Sequence, residues 1–568
     1  MNVKKVLAGA LMLMSLLSVW GCGGGGGNEA LLLTTGGGTS GGGTSDVGTS
    51  DGGTSSQQVT VPNLVNQTQS AAQSAITSAG LHVGAITPQN STTVASGTVM
   101  SQNPAAGTSV PSGTVVTMIV SAGPPAVGGL PLPVLTPLPA SETTPPSGGL
   151  TTTVKASYVV LAWNDLGMHC LNPSYDTAVI LPPYNNVRAQ VIMRGNKPVV
   201  VTSGVTVSYR IINNTTSQKR LFTQFWTYAL QLFGVAPKTD FGLNLDDPVS
   251  NSLTGDMLPK AGYFIASGIP VTPVNDGGGW TPYQMIEVTV KDSTTKAVLA
   301  QTRTTIPTSD EINCGKCHPK TTSSDPTVVF QDILAKHDAT QGTSLYNDAV
   351  VNKKPVLCAS CHGSPALNMP TKLPAHTYLS QAIHGFHADP KKVPNTPSCY
   401  DCHPGSVTQC NRSTHHTAAD GDCTHCHGSL ATVASSIATG GRVPWVSEPK
   451  CATCHAGVDQ VDTGTTLYRN SDIGHGNIFC AACHGSPHAM TPSGQITDNY
   501  QSIQYQGKAM AMGDCRVCHN TSRGGGSASE FSKEHGGGRN SACNVCHTGF
   551  QNASDTTKWP HQFQWKSR

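Results

Sequence analysis

The chain has 568 residues, which is enough for about three or four domains, and its formal net charge of +2 gives no sign of a nucleic-acid-binding protein. Charged residues make up only 12%, whereas 61 glycines and 38 prolines predict tethers and loop-rich modules. Nineteen cysteines exceed ordinary usage by far, so their spacing decides the class of protein.

The first 22 residues predict an export signal. Two lysines precede an apolar run from 6 to 20, which is too short to span a bilayer comfortably. The run ends in "LSVWGC" and resembles a bacterial lipoprotein signal. The resemblance implies removal of residues 1–21 and acylation of Cys22. Because Gly23 and Gly24 follow and do not resemble an inner-membrane retention signal, we expect anchoring in the outer membrane with the chain exposed at the cell surface. An ordinary signal peptide with an incidental cysteine is the alternative.

A flexible tether and a small α+β module come next. Residues 22–57 are rich in Gly, Ser and Thr and cannot bury a core, so they predict a lipid-anchored tether. Residues 58–123 predict a short strand, a helix with apolar residues at helical spacing from 71 to 79, and two strands around a turn-rich loop. The motifs "VPNL", "AGL", "SQNPAAG" and "GTVVTMIVS" resemble those of a PASTA domain. The resemblance implies contact with peptidoglycan, or a role as a spacer.

A Pro-rich stretch at 124–150 predicts a stiff, extended linker. Residues 151–310 then contain several apolar, β-branched runs bounded by turn residues, which predict a β-rich, sandwich-like domain. One helix, roughly 218–234, interrupts the strands, and its aromatic stripe predicts core packing rather than a cofactor site.

The segment "AWNDLGMHC" (162–170) places Asp165, Met168, His169 and Cys170 together directly after a predicted strand. Two interpretations remain open. His169 either ligates a haem iron or another metal, or it is buried and structural together with Cys170. Cys170 either forms a disulfide with Cys410 or leaves that cysteine free.

From residue 311 onward, eight segments share the form Cys-x-x-Cys-His. This motif attaches a c-type haem through its two thiols, and the histidine is the proximal ligand of the iron. A zinc site or a redox disulfide needs no trailing histidine in every copy. The predicted attachment residues are Cys314, Cys317, Cys358, Cys361, Cys399, Cys402, Cys423, Cys426, Cys451, Cys454, Cys480, Cys483, Cys515, Cys518, Cys543 and Cys546, and the predicted proximal ligands are His318, His362, His403, His427, His455, His484, His519 and His547.

These motifs and "AWNDLGMHC" resemble the octahaem c-type cytochromes of metal-respiring bacteria over residues 151–568. The resemblance implies eight covalently bound haem c groups in a domain at 311–568. Each haem has only about 32 residues of chain, so we expect packed haems to form the core and little regular secondary structure between them.

Histidines outside the motifs are candidates for the second axial ligand of each iron. "AIHGFHADP" (382–390) predicts that His384 and His387 bind two haems, the alternative being surface histidines in a polar loop. A histidine on both faces leaves the iron low-spin with no open position. The candidates are His169, His337, His376, His384, His387, His415, His416, His425, His475, His488, His535 and His561, with Met369, Met490, Met510 and Met512 as alternatives for one or two irons.

The predicted function is electron transfer at the outer membrane or cell surface. Its partners would be other cytochromes or quinol-linked donors and an extracellular acceptor such as a metal oxide. The alternative is an octahaem reductase of nitrite, hydroxylamine or sulfur oxyanions. Some such enzymes replace the proximal histidine with lysine, but all eight motifs here end in histidine, which argues against an enzyme.

Overall fold

The computed structural model describes residues 57–519 except 90, 92–93, 95–96, 122–134, 146–156, 196, 246–248, 320–324, 374–376, 406, 415–422, 452–465 and 473–474. The predicted signal peptide, Cys22, most of the tether and the eighth motif therefore lie outside the described residues. Residues 59–568 form one compact unit.

Residues 58–121 form a small α+β module with a core of its own. Its elements are β1 (Gln58–Thr60), α1 (Gln69–Ser78), β2 (His82–Gln89), β3 (Val99–Asn103), β4 (Ser109–Pro111) and β5 (Val115–Ser121). The Thr68 hydroxyl accepts a hydrogen bond from the Ala71 amide and caps the helix, as threonine commonly does. Ala72 and Ile76 are fully buried, as the helical spacing predicts.

The sheet of this module contains a strand that the sequence did not predict. The strand β2 pairs in parallel with β5, and β3 pairs with β5 on its other side in antiparallel register. A register shift interrupts β2 between Val83 and Ile86. Because that irregularity breaks the alternation of apolar and polar residues, the strand escapes period-two analysis.

The described part of the predicted linker differs from an extended spacer. Residues 140–143 form a short helix, α2 (Ala140–Thr143), and Leu138 is buried against Ile212 and Met285. The Arg303 guanidinium donates to the carbonyl of Glu142 over 2.9 Å. The prediction of a stiff linker across 124–150 is therefore wrong for 135–145, because an apolar residue among the prolines packs on the β-rich region.

The β-rich region contains two antiparallel sheets. A five-stranded sheet and a four-stranded sheet carry most of its chain, and short two-residue strands accompany them. The strands are β6 (Tyr158–Asn164), β7 (His169–Cys170), β8 (Ala178–Val179), β9 (Asn185–Met193), β10 (Val199–Val201), β11 (Val205–Ile211), β12 (Thr254–Asp256), β13 (Leu258–Lys260), β14 (Tyr263–Ile269), β15 (Met285–Asp292), β16 (Val298–Thr305) and β17 (Thr308–Ser309).

One hydrophobic core joins the two sheets. The first sheet has the order β10-β9-β14-β13, with β6 also on β9, and the second has the order β12-β11-β15-β16. Val187 and Val191 of the first sheet and Val207 and Val288 of the second belong to the same buried cluster. The prediction of a β-rich region is thus confirmed, and the region contains more than one sheet.

The predicted helix within this region is present. A 3-10 turn (Arg220–Phe222) leads into α3 (Thr223–Phe233), which ends at Gly234 with φ +73°. Its buried residues Phe225, Ala229 and Leu232 recur at helical spacing and face a hydrophobic cluster. The aromatic stripe is therefore core, as the sequence predicted.

The remaining described chain consists of short elements. Its helices are α4 (Pro326–Gln341), a π-turn (Asn347–Val351), α5 (Ala359–His362), α6 (Leu379–Ala388), α7 (Cys423–His427), α8 (Leu430–Ala438), α9 (Cys480–His484) and α10 (Tyr500–Gln506). Its strands are β18 (Val356–Leu357), β19 (Gly485–Ser486) and β20 (Ala489–Met490), and its 3-10 turns are Asn313–Lys316, Pro365–Leu367, Cys399–Asp401, Tyr468–Asn470, His475–Asn477, Ile496–Asn499 and Cys515–Val517.

Across the residues that the structure describes, no helix is both long enough and apolar enough to cross a bilayer.

Candidate haem-binding sites

The Cys-x-x-Cys-His motifs that the structure describes in full fold as single tight helical turns. In the first motif the His318 amide donates to the carbonyl of Cys314 over 2.9 Å, and in the third the His403 amide donates to Cys399 over the same distance. The second, fourth and sixth motifs coincide with α5, α7 and α9. This turn brings the two thiols and the histidine to neighbouring positions on one side of the backbone, as attachment to one macrocycle requires.

Four motif histidines each face a second histidine from elsewhere in the chain. The distances between ring centroids fall within a narrow range. The pairs are His318 with His387 at 6.5 Å, His362 with His337 at 6.3 Å, His403 with His384 at 6.1 Å, and His427 with His488 at 6.3 Å.

This separation matches the geometry of two imidazoles that share one metal ion. When both rings bind through Nε2 from opposite sides, with metal–nitrogen bonds of about 2.0 Å, their centroids lie about 6.3 Å apart. Aromatic rings in direct contact have centroids about 4.5–7 Å apart, so the distance alone does not decide between contact and a shared metal ion. The recurrence of nearly the same separation in four pairs, each with one motif histidine, is what points to a shared metal ion.

The two histidines of "AIHGFHADP" lie on the helix α6 and pair with two different motifs. His384 and His387 lie three residues apart on this helix, and their rings pair with the third and the first motif. The Nδ1 atoms donate to the carbonyls of Ser380 and Ile383, at 2.7 and 2.8 Å. A ring whose Nδ1 carries the proton presents an unprotonated Nε2, which is the form that binds iron.

Two further paired histidines have an oriented Nδ1 atom. His318 of the first motif donates to the Asp332 carboxylate over 2.8 Å, while Nδ1 of His337 lies 3.0 Å from the Thr343 hydroxyl. Burial lowers the pKa of His318 and His384, and it lowers the pKa of His488 to about 4. These rings are therefore neutral at pH 7, as a metal ligand must be.

The segment "AWNDLGMHC" holds one of the paired histidines. Nδ1 of His488 donates to the carbonyl of Leu166 over 2.9 Å, and the His488 ring lies 6.3 Å from the ring of His427. The Asn164 side chain accepts from the amides of Leu166 and Gly167 and fixes this turn. Gly167 has φ +84°, and a Cβ there would lie 3.1 Å from the His488 amide, so glycine permits this close approach.

His169 lies in a different environment from the paired histidines. Its Nε2 lies 2.7 Å from the Asp165 carboxylate, the ring is 5% exposed, and no described ring contact joins it to a motif histidine. Burial raises the pKa of Asp165, but the charge and hydrogen bond of His169 and the hydrogen bond from Asn186 outweigh it and bring the pKa to about 2. The geometry favours the structural interpretation of His169 over ligation of iron.

The outer face of β9 contacts the chain that precedes the sixth motif, and the adjoining Arg194 contacts the seventh motif. Arg188 donates to the carbonyl of Arg469, Gln190 donates to Asn477, and the adjoining Arg194 donates to Arg516 and Val517. The polar residues of "VRAQVIMR" alternate with the core residues Val187, Ala189 and Val191. Sequence analysis missed this surface, although its period-two pattern was visible.

The described cysteines form no zinc site. Among the residues that the structure describes, no three His, Cys, Asp or Glu side chains converge on one point. Burial raises the pKa of the Cys314 and Cys483 thiols to about 12, so they are not poised as thiolates. A tetrahedral thiolate site is thereby disfavoured for these motifs.

Cys170 and Cys410 are both thiols in this structure. Burial, followed by the proximity of Cys410 and Glu311, raises the pKa of Cys170 far above its usual value. The Ser309 and Thr408 hydroxyls, 2.6 Å apart, join the two segments. The two sulfurs are therefore neighbours but unbonded.

The remaining candidates are distributed as follows. His425 is exposed on α7, and Met510 is 38% exposed. Met490 and Met512 pack with Cys480 and Cys518 of the sixth and seventh motifs, whereas Met369 packs against the cluster around α3. Outside the described residues lie His376, His415, His416, His455, His535, His547, His561, Cys454, Cys543 and Cys546, together with the side chains of His475 and Cys515.

Comparison with known proteins identifies the N-terminal module. The PASTA domain family model matches residues 59–122, and no curated protein matches the chain. One similar solved structure is the three-PASTA-domain of a Ser/Thr kinase from Staphylococcus aureus, at 19% identity, with a TM-score of 0.12, covering 20% of this chain and 48% of that one.

A second is the entire extracellular region of the Ser/Thr kinase PrkC from Staphylococcus aureus, at 12% identity, with a TM-score of 0.12, covering 44% of this chain and 51% of that one. The chain thus spans about half the length of each of these structures. Its sheet of β2, β5 and β3 with one packed helix, together with the family match, establishes that residues 59–122 are a PASTA domain.

Proposed function

We propose that the chain is a multihaem c-type cytochrome that carries eight covalent haem c groups and transfers electrons. The observation that carries this proposal is the set of four histidine pairs with ring centroids 6.1–6.5 Å apart. Each pair contains the histidine of one motif, and four such coincidences are not expected of surface histidines.

Three kinds of side chain would hold each cofactor. Motif cysteines bind the macrocycle, motif histidines bind one face of the iron, and His337, His384, His387 and His488 bind the other face of four irons. Bound haem supplies one-electron oxidation and reduction. Because both axial positions are filled by protein, no position remains for a substrate at these four irons.

Two further irons have ligands of another type within reach. Met490 and Met512 pack beside the sixth and seventh motifs, and thioether ligation gives a higher potential than a second histidine. A range of potentials along the chain would suit directional transfer. We therefore propose the methionine alternative for the sixth and seventh motifs.

The export signal and the PASTA domain support a location at the cell envelope. We infer that acylated Cys22 anchors the chain in the outer membrane and that residues 59–122 contact peptidoglycan or space the redox region from the lipid. Other cytochromes or quinol-linked donors would supply electrons, and an extracellular acceptor such as a metal oxide would receive them.

The test is the low-temperature EPR spectrum of the oxidised, purified protein, with spins quantified per haem. Electron transfer predicts that all eight irons are low-spin and that nitrite or hydroxylamine leaves the spectrum unchanged. One high-spin iron that responds to either compound would instead support the octahaem reductase.

A further inference from the structure

The helix α6 carries candidate ligands for two different haem sites. His384 and His387 lie three residues apart, so their side chains are neighbours on the helix surface. The His387 ring pairs with His318 of the first motif. The His384 ring pairs with His403 of the third motif. Two irons bound in this way would have one helix in common.

The first and third motifs also contact each other directly. The Lys316 ammonium of the first motif lies 3.1 Å from the Asp401 carboxylate of the third. The Asn313 amide, next to the first motif, donates to the carbonyl of Tyr400 in the third over 3.2 Å. Macrocycles attached to these two motifs would therefore be neighbours. Because Lys316 and Asp401 neutralise each other, this ion pair favours neither iron.

The two sites differ in the group that accepts the Nδ1 proton of a histidine. Nδ1 of His318 donates to the Asp332 carboxylate over 2.8 Å, whereas Nδ1 of His384 donates to the neutral carbonyl of Ser380 over 2.7 Å. A histidine that donates to a carboxylate becomes a more basic metal ligand. A more basic ligand stabilises ferric iron relative to ferrous iron, so Asp332 lowers the potential at the first motif.

The charge of Asp332 is offset only in part. Asp332 and Lys336 lie one turn apart on α4, and the Lys336 ammonium contacts the Asp332 carboxylate. The Lys336 side chain is 44% exposed, against 22% for Asp332, so water screens the ammonium more strongly. The carboxylate, which contacts the ligand itself, therefore has the larger effect on the iron.

A positive charge acts at the third motif. The Arg442 guanidinium donates to the Ser436 hydroxyl of α8 over 2.9 Å, and α8 packs along α6. Its other described hydrogen bond reaches the Val433 carbonyl, so neither acceptor is a carboxylate.

The ring of His384 responds to this charge. Burial lowers the pKa of His384, and the charge of Arg442 adds to that effect. Burial, followed by Arg442, also lowers the pKa of His427 in the fourth motif. Positive charge beside an iron favours its reduced state, so Arg442 raises the potential at the third motif and at the fourth.

We propose that Asp332 and Arg442 set a potential difference across α6, so that electrons pass from the iron of the first motif to the iron of the third. The inference rests on the proposed function and adds a direction to it. Each transfer moves one electron, which oxidises the first iron from ferrous to ferric and reduces the third from ferric to ferrous. No bond forms or breaks, and a one-electron donor such as another cytochrome reduces the first iron again.

The experiment is a potentiometric titration of the full-length holoprotein, with low-spin iron counted by EPR. The mass of each protein first shows whether eight haems are attached. His387→Met and His384→Met mark the two haems, because a methionine ligand raises the potential of its own iron. In the wild type we expect the haem marked by His387→Met to have a lower midpoint potential than the haem marked by His384→Met.

Three charge variants test the cause of this difference. Asp332→Asn should raise the potential of the haem at the first motif, because the remaining amide oxygen is a weaker acceptor. Lys336→Gln keeps the carboxylate and should lower the same potential. Arg442→Gln should lower the potentials at the third and fourth motifs.

Two matched controls remove the same kinds of charge elsewhere. Asp348→Asn replaces a carboxylate that accepts from the Asn352 amide over 3.2 Å. Arg210→Gln replaces an arginine of the four-stranded sheet whose side chain is 55% exposed. Neither control should shift the potential of either marked haem.

Three results, each with eight haems attached, would overturn the proposal and leave electron transfer intact. In the first, the haem at the first motif has the higher potential of the two. In the second, neither Asp332→Asn nor Lys336→Gln shifts that potential. In the third, Arg442→Gln leaves the haem at the third motif unchanged. If Asp332→Asn loses low-spin iron, Lys336→Gln decides the second test alone. A mass without covalent haem would refute the proposed function itself.

Discussion

The PASTA domain and the motif-bearing region bury their apolar side chains in opposite ways. Every buried member of the PASTA core, from Val61 to Val120, comes from the domain itself. In the motif-bearing region, Phe479 and Val517 pack against Val159 and Ile192 of the β-rich region. The PASTA domain forms a core from its own side chains, whereas the motif-bearing region packs on side chains of the β-rich region.

Within the motif-bearing region, burial of apolar side chains is lowest in the interval between Met369 and Tyr468. In the described part of that interval, Pro404, Ala434 and Ile437 are the only buried apolar side chains. So little burial cannot offset the conformational entropy of ordering the chain. A bulky apolar cofactor would supply the missing contacts, and this is what eight covalent macrocycles would provide.

The largest expected effect follows from withholding haem. When the full chain is produced without haem attachment, we expect residues 311–519 to lose hydrogen-exchange protection, because their core is absent. The PASTA domain and the strands of the β-rich region should keep theirs. Hydrogen exchange followed by mass spectrometry measures both in one sample, with the holoprotein as control. Retained protection around α6 in the haem-free chain would show that this region orders without haem, and would contradict the prediction.

A core substitution in the PASTA domain should act only there. Ile76→Ala removes a fully buried side chain and should cost about 2–5 kcal/mol, whereas Val115→Ala, at a position 55% exposed, should cost far less. Urea-dependent hydrogen exchange of residues 58–121 gives both values. The haem absorption spectrum should not change in either variant, and a change would mean that the two regions share stability.

These two regions also differ in how much the sequence predicted. Apolar periodicity was sufficient for α1, α3 and most strands of the sandwich, because a protein core dictates that pattern. The motifs predict where haem would attach, but no sequence pattern indicated that His384 pairs with His403 or His488 with His427. Those pairs depend on tertiary contacts such as the Leu166 carbonyl, which is a backbone atom and leaves no residue signature.

Removing one paired histidine should change one haem. His384→Ala leaves His403 without its partner, so we expect about one eighth of the iron to become high-spin, because the sixth position opens to water. His425→Ala is the matched control, since that side chain is exposed and no ring contact joins it to another histidine among the described residues. EPR spin quantification checks both. An unchanged low-spin count in His384→Ala would contradict the assignment from ring geometry.

The smallest expected effect tests whether the β-rich region helps to position one candidate ligand, His488. Gly167→Ala and Gly204→Ala both place a side chain at positive φ, +84° and +74°, which costs about 1–2 kcal/mol each. Only at Gly167 does the new Cβ meet another segment, 3.1 Å from the His488 amide, whereas nothing lies within 4 Å at Gly204. Thermal unfolding should therefore show similar losses, but only Gly167→Ala should give a high-spin fraction, since a displaced His488 releases the iron bound by His427. Equal EPR spectra for the two variants would show that the motif-bearing region alone positions His488. The β-rich region would then contribute to the shared core but not to the position of this ligand.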